Sequence, residues 1–180
     1  MSQQDDVERG KVFYQNWIRT LAISPNFASD HVIFGSLVGG GLYRSLDKGS
    51  TWHTANEGLE DTHLNSLAIS PDYDVDHTLY VSGVSGVVFR STNQGDTWRA
   101  VNNGLDSTPI WTIAVFPFFS EDHTIFASAG IVVYRSTDRG DSWKQIHSFP
   151  QEDVETNLVS CPDSTGSVGS TGTTNAPVVT

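Results

Sequence analysis

The sequence of 180 residues holds few of the residues on which several common classes of function depend. Its single cysteine, Cys161, excludes an internal disulfide and a cysteine-rich metal site. Only 10 basic residues stand against 21 acidic ones, and the net charge of −11 argues against nucleic acid and anionic membranes as partners. No apolar run is long enough to cross a bilayer, and residues 1–6 lack the pattern of an export leader. These absences assign no compartment, although an extracellular one is compatible with a piece of an exported protein.

What the sequence does contain is one eight-residue motif in three copies. The copies are SLDKGSTW at 45–52, STNQGDTW at 91–98 and STDRGDSW at 136–143. Their final tryptophans lie 46 and then 45 residues apart, so the motif belongs to a longer repeat. Aligning the copies outward predicts units at 21–66, 67–112 and 113–157, with the end of a preceding unit at 1–20. The first strand of a fourth unit is predicted at 158–163, followed by a flexible Ser/Thr/Gly-rich tail at 164–180.

Each unit is predicted to form four short strands. Its apolar residues come in runs of three to five that are rich in Val, Ile, Phe and Tyr and are bounded by Gly, Pro, Asn or Asp. In the second unit the strands are expected at 65–70, 78–82, 86–91 and 97–101, with turns between them. Four antiparallel strands in about 45 residues are typical of one blade of a propeller.

The motif itself is predicted to build a tight corner between two strands. Short Ser and Asp side chains accept hydrogen bonds from backbone amides, Gly adopts a positive φ, and the Trp returns the chain to the sheet with its indole buried. We therefore assign a structural role to the motif residues, which are Ser45, Asp47, Gly49, Thr51, Trp52, Ser91, Asn93, Gly95, Thr97, Trp98, Ser136, Asp138, Gly140, Ser142 and Trp143.

The motif resembles the Asp-box, also called the bacterial neuraminidase repeat. The first and third copies match it, with Ser142 in place of Thr, while Asn93 replaces Asp in the second. The resemblance implies an all-β fold, an Asp-box β-propeller with three four-stranded antiparallel blades and the start of a fourth. It does not define an activity, because the family includes sialidases, xyloglucan-degrading glycosidases, sortilin-type receptors and a photosystem II assembly factor.

Carboxylates that repeat once per unit are poor candidates for catalysis, because an active site needs unlike residues at one place. The run of Asp72, Asp74 and Asp76 has the alternate spacing of a calcium loop, but it lacks the glycine and the glutamate that such a loop requires. These aspartates are better explained as turn residues, and we expect neither a metal nor a cofactor.

The third unit departs from the repeat in its aromatic residues, which are Trp111, Phe116, Phe118 and Phe119. They could pack between blades or at an interface left by missing blades. The alternative is an aromatic platform for a sugar ring.

A sialidase-like active site would need an arginine triad and an early Arg-Ile-Pro segment, and the sequence has no such segment. Nothing in the spacing of the loop carboxylates selects a catalytic pair. The sequence therefore favours a non-catalytic propeller module or fragment that binds protein or glycan. The alternatives are part of a glycoside hydrolase whose active site needs further blades, and a self-assembling subunit in which a second copy completes the ring.

Overall fold

The computed structural model describes residues 17–150, which form three four-stranded antiparallel sheets. The predictions for residues 1–16, for the fourth unit at 158–163 and for the tail at 164–180 lie outside this range. Within each sheet the strands are paired in the order in which they follow one another in the sequence. The predicted all-β fold class and the four strands per unit are confirmed.

The strand boundaries follow the repeat. Sheet 1 contains β1 (Ile18–Ile23), β2 (Ile33–Leu37), β3 (Gly41–Ser45) and β4 (His53–Thr54). Sheet 2 contains β5 (Leu64–Ile69), β6 (Leu79–Gly83), β7 (Val88–Ser91) and β8 (Arg99–Ala100). Sheet 3 contains β9 (Thr112–Val115), β10 (Ile125–Ala129), β11 (Val132–Ser136) and β12 (Lys144–Ser148). The unit starts at 21, 67 and 113 thus fall inside the first strand of each sheet. Residues 18–20, which were predicted to end a preceding unit, therefore belong to sheet 1.

A single turn of helix follows the first strand of every sheet, where the sequence predicts an irregular turn. The three turns are α1 (Phe27–Asp30), α2 (Tyr73–Asp76) and α3 (Phe119–Asp122). Each ends at a histidine in the left-handed conformation, with φ between 52° and 61°, whose amide donates to the carbonyl four residues earlier. The last aspartate of each turn accepts the amide two residues later, at 2.8–2.9 Å. This local capping explains the Asp-His pair that recurs in each unit.

The first strand of each sheet is the inner one. Strand β1 lies against β5, and β5 lies against β9. Hydrogen bonds join these inner elements, since the Ile113 amide donates to Ser66 Oγ at 3.1 Å. The three sheets therefore fan out from a common axis, and sheet 2 presents one face to sheet 1 and the other to sheet 3.

The hydrophobic core consists of two equivalent layers between successive sheets. Between sheets 1 and 2 the ring of Phe34 packs edge-on against Tyr73, with the centroids 6.2 Å apart. Between sheets 2 and 3 Tyr80 and Phe119 occupy the same positions and pack in the same way at 6.1 Å. All four side chains are at most 2% exposed, so the repeat reproduces a specific packing arrangement and not merely apolar character.

The motif tryptophans join each sheet to the preceding one. Trp98 Nε1 donates to the Ala55 carbonyl of sheet 1 at 2.9 Å, and Trp143 Nε1 donates to the Val101 carbonyl of sheet 2 at 2.7 Å. Both indoles are buried. The expectation that all three would be buried is wrong for Trp52, which is 40% exposed and donates to Gly49 of its own corner. Among the described residues no sheet precedes sheet 1, so nothing there covers this indole.

We expect replacement of a corner tryptophan with Ala to lower the free energy of unfolding more where the indole is buried than where it is exposed. Replacing Trp98 with Ala should lower the free energy of unfolding by about 3–5 kcal/mol, because it empties a buried volume and leaves the Ala55 carbonyl unpaired. Trp52→Ala should cost clearly less, since its ring is already partly in water. Urea unfolding followed by circular dichroism would measure both, with Trp143→Ala as the second buried case. Equal losses for Trp52 and Trp98 would contradict this account.

Candidate functional site

The connections between strands lie on two opposite sides of the molecule. On the side that we call the corner side, the motifs lie beside the helical turns, and the amides of Lys48, Gln94 and Arg139 donate to the capping histidines at 3.2–3.3 Å. On the other side, which we call the linker side, residues 38–40 and 84–87 join second strands to third strands. Residues 55–63 and 101–111 join successive sheets there. The candidate residues divide between these two sides.

Each corner closes on itself through hydrogen bonds. Ser45 Oγ accepts the Gly49 amide at 2.8 Å and donates to Asp47 Oδ1 at 2.8 Å. Asp47 accepts the Thr51 amide at 2.8 Å and the Thr51 hydroxyl at 2.6 Å, while Gly49 has a φ of 90°. The third corner repeats these bonds with Ser136, Asp138, Gly140 and Ser142. Both carboxylate oxygens of Asp47 and of Asp138 therefore accept hydrogen bonds within their own corners.

The second corner builds the same structure with a neutral side chain. Asn93 Oδ1 accepts from Ser91 Oγ at 2.8 Å and from the Thr97 amide at 3.0 Å. Its Nδ2 donates to Thr97 Oγ1 at 2.9 Å, so the threonine hydroxyl accepts here where it donates in the first corner. Ser91 Oγ still accepts hydrogen bonds from the amides of Asn93 and Gly95. The amide of asparagine thus preserves the corner without a charge.

Hydrogen bonding favours the charged form of the corner aspartates. The side chain and the amide of Thr51, followed by Ser45, lower the pKa of Asp47 to about 2. Burial acts to raise the pKa of Asp138, but hydrogen bonds from Ser142 and Ser136 outweigh it and hold that pKa below its usual range. These carboxylates are stabilised as anions and serve the corner, which is unlike the behaviour of a general acid.

Arginines on the third strands bind the corner of the following sheet. Arg44 Nη1 donates to the Gln94 carbonyl at 2.6 Å and to Asp96 Oδ1 at 2.7 Å. Arg90 donates to the carbonyl at the same motif position of sheet 3 at 2.5 Å and pairs with Asp141 Oδ1 at 3.1 Å. The carboxylate is at the sixth position of the motif in both cases. Asp at this position in two copies of the motif is the signal in the sequence for this contact.

On the linker side, three unlike residues occupy one repeat position close to the axis. Arg19, Asn65 and Trp111 are each 46 residues apart and lie at or just before the start of an inner strand. Arg19 Nη2 donates to Asn65 Oδ1 at 3.4 Å, and Asn65 Nδ2 donates to the Ile110 carbonyl at 3.1 Å. They border an open pocket of about 180 Å³, which is lined by Arg19, Val38, Gly39, His63, Leu64, Asn65, Val84 and Trp111. We call Arg19, His63, Asn65 and Trp111 the axial cluster.

Asp61, two residues before the pocket residue His63, supports the loops around the pocket. Asp61 accepts the His63 amide at 2.8 Å and the Ser85 amide at 3.0 Å. Burial acts to raise the pKa of Asp61, but hydrogen bonds from Ser85 and His63 outweigh it and keep that pKa below its usual range. On another loop, Asp106 accepts the hydroxyl of Tyr134 at 2.7 Å. Both carboxylates therefore have structural partners.

The four aromatic residues predicted as a platform are not brought together. Trp111 is 48% exposed at the axial cluster, whereas Phe116 and Phe118 lie past the other end of β9, with their ring centroids 5.8 Å apart. Phe119 is fully buried against Tyr80 in the core, so it cannot belong to an exposed platform. The prediction of one aromatic platform is therefore wrong. Trp111 lies on the linker side, and Phe116 and Phe118 form a separate pair on the corner side.

Two of the three aspartates considered for calcium have separate hydrogen-bond partners. Asp76 accepts Ser70 Oγ at 2.7 Å and the Thr78 amide at 2.8 Å, and Asp74 accepts Asn26 Nδ2 at 3.1 Å. Asp72 lies at the start of α2. Within residues 17–150 no group of three or more His, Cys, Asp or Glu side chains is arranged to hold a metal ion. In the same range, no helix has the length and apolar character needed to span a membrane.

Comparison with solved structures identifies the arrangement of the sheets. No protein-family model matches the sequence, and no curated protein matches it either. An ancestral GH74 enzyme superimposes with a TM-score of 0.63 at 19% identity, covering 74% of this chain and 18% of that one. YCF48 bound to D1 peptide gives 0.54 at 18% identity, covering 71% and 40%. The WD40 repeats of RRP9 give 0.54 at 14% identity, covering 76% and 39%.

The three sheets are blades of a β-propeller. The identities are low, so the likeness shows the fold alone, and the chain spans less than half the length of each of these three proteins. Sheets 1, 2 and 3 are accordingly blades 1, 2 and 3 below. The inner strands line the axis of the propeller, and the axial cluster lies at one end of that axis.

The corner aspartates should make stability depend on pH at low pH. The pKa of Asp47 is lower in the folded chain than in the unfolded one, so its contribution is fully present above about pH 4. It is lost as the pH falls towards about 2. Replacing Asp47 and Asp138 with Asn should remove part of this acid sensitivity, because Asn93 already builds a neutral corner. Urea midpoints measured at pH 6 and near pH 2.5 test this. An unchanged difference between the two midpoints in the double variant would contradict it.

Proposed function

We propose that this chain is a non-catalytic β-propeller module that binds protein or glycan through the axial cluster on its linker side. One observation carries the proposal: Arg19, Asn65 and Trp111 occupy one repeat position and meet at the end of the axis. Equivalent positions that serve only the fold hold similar residues, as the corners do. Three different residues at a single repeat position near the axis are therefore better explained by a ligand than by packing.

The chemistry of the cluster suits recognition. The exposed indole of Trp111 offers a flat apolar surface for a side chain or a sugar ring, while Arg19 and Asn65 offer hydrogen-bond donors beside it. The imidazole of His63 is largely exposed and borders the same pocket. An apolar surface with a few convergent polar groups is the common composition of a binding site.

The partners of four aspartates support binding over hydrolysis. A glycosidase needs two carboxyl groups that face each other across a cleft. Asp61 and Asp106 are held by backbone or tyrosine partners, and the corner aspartates are enclosed by their own motifs. None of these four is available as an unpartnered acid. Part of a glycoside hydrolase remains the alternative, because the GH74 neighbour has the same fold and most of its length has no counterpart here.

The neighbours include a propeller whose structure was solved with a peptide bound, namely YCF48 with D1 peptide. That precedent fits a protein ligand for the present chain. Within residues 17–150 no sheet covers the outer faces of blades 1 and 3, which supports a role in assembly. The outer face of blade 1, which we call the head face, exposes Trp52 and Leu21 in a hollow of about 290 Å³, lined by Ile18, Leu21, Gly35, Leu37, Tyr43 and Trp52. The same face of blades 2 and 3 is covered by the preceding blade, so completion by further blades, including those of a second copy, belongs to this proposal.

The axial cluster can be tested with Trp111→Ala. Ligands would be selected from a phage-displayed peptide library and a glycan array with the unmodified chain, and then titrated by calorimetry. The variant should weaken binding of a selected ligand about tenfold or more, as expected for a central aromatic residue. Phe118→Ala is the matched control, because Phe118 is 61% exposed but lies on the corner side, and it should leave the affinity unchanged.

Two results would reject the proposal. The first is that Phe118→Ala abolishes binding while Trp111→Ala does not, which would move the site to the corner side. The second is hydrolysis of aryl sialosides or aryl glucosides by the purified chain that is lost on replacing a single carboxylate. That result would favour the glycoside hydrolase alternative.

A further inference from the structure

An open pocket of about 270 Å³ lies between the outer strands of blade 1 and the corner of blade 2. Strands β3 and β4 and the residues that follow β4 line it from blade 1, and the second corner lines it from blade 2. We call it the interblade pocket. It shares no residue with the axial cluster, and its lining includes Arg44, Thr54, Ala55, Glu57, Gly95 and Asp96.

The equivalent place in the interface between blades 2 and 3 holds two arginine side chains. There Asp141 Oδ1 pairs with Arg90 at 3.1 Å and accepts a hydrogen bond from Arg99 Nη2 at 2.9 Å. In the interblade pocket the equivalent carboxylate, that of Asp96, pairs with one arginine only. His53 occupies the repeat position of Arg99, and its imidazole has no hydrogen-bond or ion-pair partner within residues 17–150. The second guanidinium therefore has no counterpart between blades 1 and 2.

A smaller side chain leaves room in the interblade pocket. Between blades 2 and 3, Cγ2 of Val101 packs against Gly140 of the corner. The equivalent residues between blades 1 and 2 are Ala55 and Gly95, and both line the pocket. A methyl group in place of an isopropyl group thus opens space beside the corner at the point where the second guanidinium is missing.

The interblade pocket also carries an excess of negative charge. Glu57 lines it where blade 2 has the neutral Asn103, so two acidic residues and one basic residue, Arg44, border the pocket. Within the described part of the chain the Glu57 carboxylate and Asp96 Oδ2 accept no hydrogen bond. Both acidic residues are exposed, so a cation can reach them from solvent. The pocket therefore combines open space with two unfilled acceptors.

We propose that the interblade pocket binds the guanidinium group of an arginine side chain that a partner polypeptide presents. This guanidinium takes the place that Arg99 has in the next interface, so it donates to Asp96, and Glu57 offers a second acceptor. The planar group has five donors and suits two carboxylates better than an ammonium group does. Its bonds to carboxylates are charge-assisted, which favours it over a neutral side chain of similar shape. The volume of about 270 Å³ admits a side chain and excludes a folded element.

An NMR titration of the full ¹⁵N-labelled chain with capped Gly-Arg-Gly tests this site. The amides of Glu57, Gly95 and Asp96 should shift saturably with a dissociation constant in the millimolar range, because an exposed ion pair is weak. Capped Gly-citrulline-Gly has a similar shape without the charge and should bind at least about fivefold more weakly. Capped Gly-Lys-Gly should also bind more weakly. Equal binding of the citrulline or lysine peptide, or no saturable shift with the arginine peptide, would overturn the proposal.

Two variants test whether the arginine peptide uses these residues. His53→Arg copies Arg99 of blade 2, so the new guanidinium should fill the pocket and weaken peptide binding at least about fivefold. Glu57→Asn copies Asn103, so it suits the fold, and it should weaken binding about threefold. Glu60→Gln is the matched control, because Glu60 is an exposed acidic residue of the same loop that does not line the pocket. It should leave the affinity unchanged.

Equal weakening by Glu57→Asn and Glu60→Gln would overturn the proposal, because the general negative charge would then explain the binding. So would an unchanged affinity of the His53→Arg variant. Arg9 is the one arginine of the sequence outside residues 17–150. Tighter peptide binding by Arg9→Gln would overturn the proposal by identifying the chain itself, and not a partner, as the source of the guanidinium. The amide spectrum of each variant would establish that it is folded.

Discussion

The contact between each corner and the blade before it is the constraint on which the structure depends. In blades 2 and 3 the corner indole is buried under the preceding sheet and donates to the carbonyl just after the last strand of that sheet, while an arginine of that sheet bonds to the same corner. Neither sheet could bury its apolar face alone, so the corner both ends a hairpin and fixes the next interface. Burial and polar pairing act at one place, which explains why the motif is the most regular part of the repeat.

This division of labour leaves one repeat position on the other side of the molecule free to vary. The corner side carries the hydrogen bonds and packing that every blade needs, so its residues are similar from copy to copy. The linker side is held by the backbone bond from the Val84 amide to the His63 carbonyl at 3.1 Å and by the side chains of Asn56 and Asp61, which accept loop and strand amides. None of these bonds uses the side chain of Arg19 or Trp111. Arg19, Asn65 and Trp111 can therefore differ at one repeat position without loss of the fold.

Much of the fold could be predicted from the sequence because its determinants are local. The strands and the corners follow from short apolar runs and from bonds within eight residues, as in Ser45 to Trp52. The helical turns were not predicted, because four residues such as Tyr73–Asp76 are too short to show a helical period. The exposure of Trp52 could not be predicted either, since it depends on a neighbouring sheet and not on the motif. The sequence contains one signal of the axial cluster, namely unlike residues at one repeat position. That these residues lie close together could be seen only from the arrangement of the inner strands.

The central claim is that the corner indoles of blades 2 and 3 are locked into the preceding blade while that of blade 1 is not. Hydrogen exchange of the indole Nε1 protons, followed by ¹⁵N-resolved NMR, measures this directly at each tryptophan. The account predicts that the protons of Trp98 and Trp143 exchange slowly, through unfolding, and that those of Trp52 and Trp111 exchange rapidly. Exchange at Trp98 and Trp143 as fast as at Trp52 would contradict it.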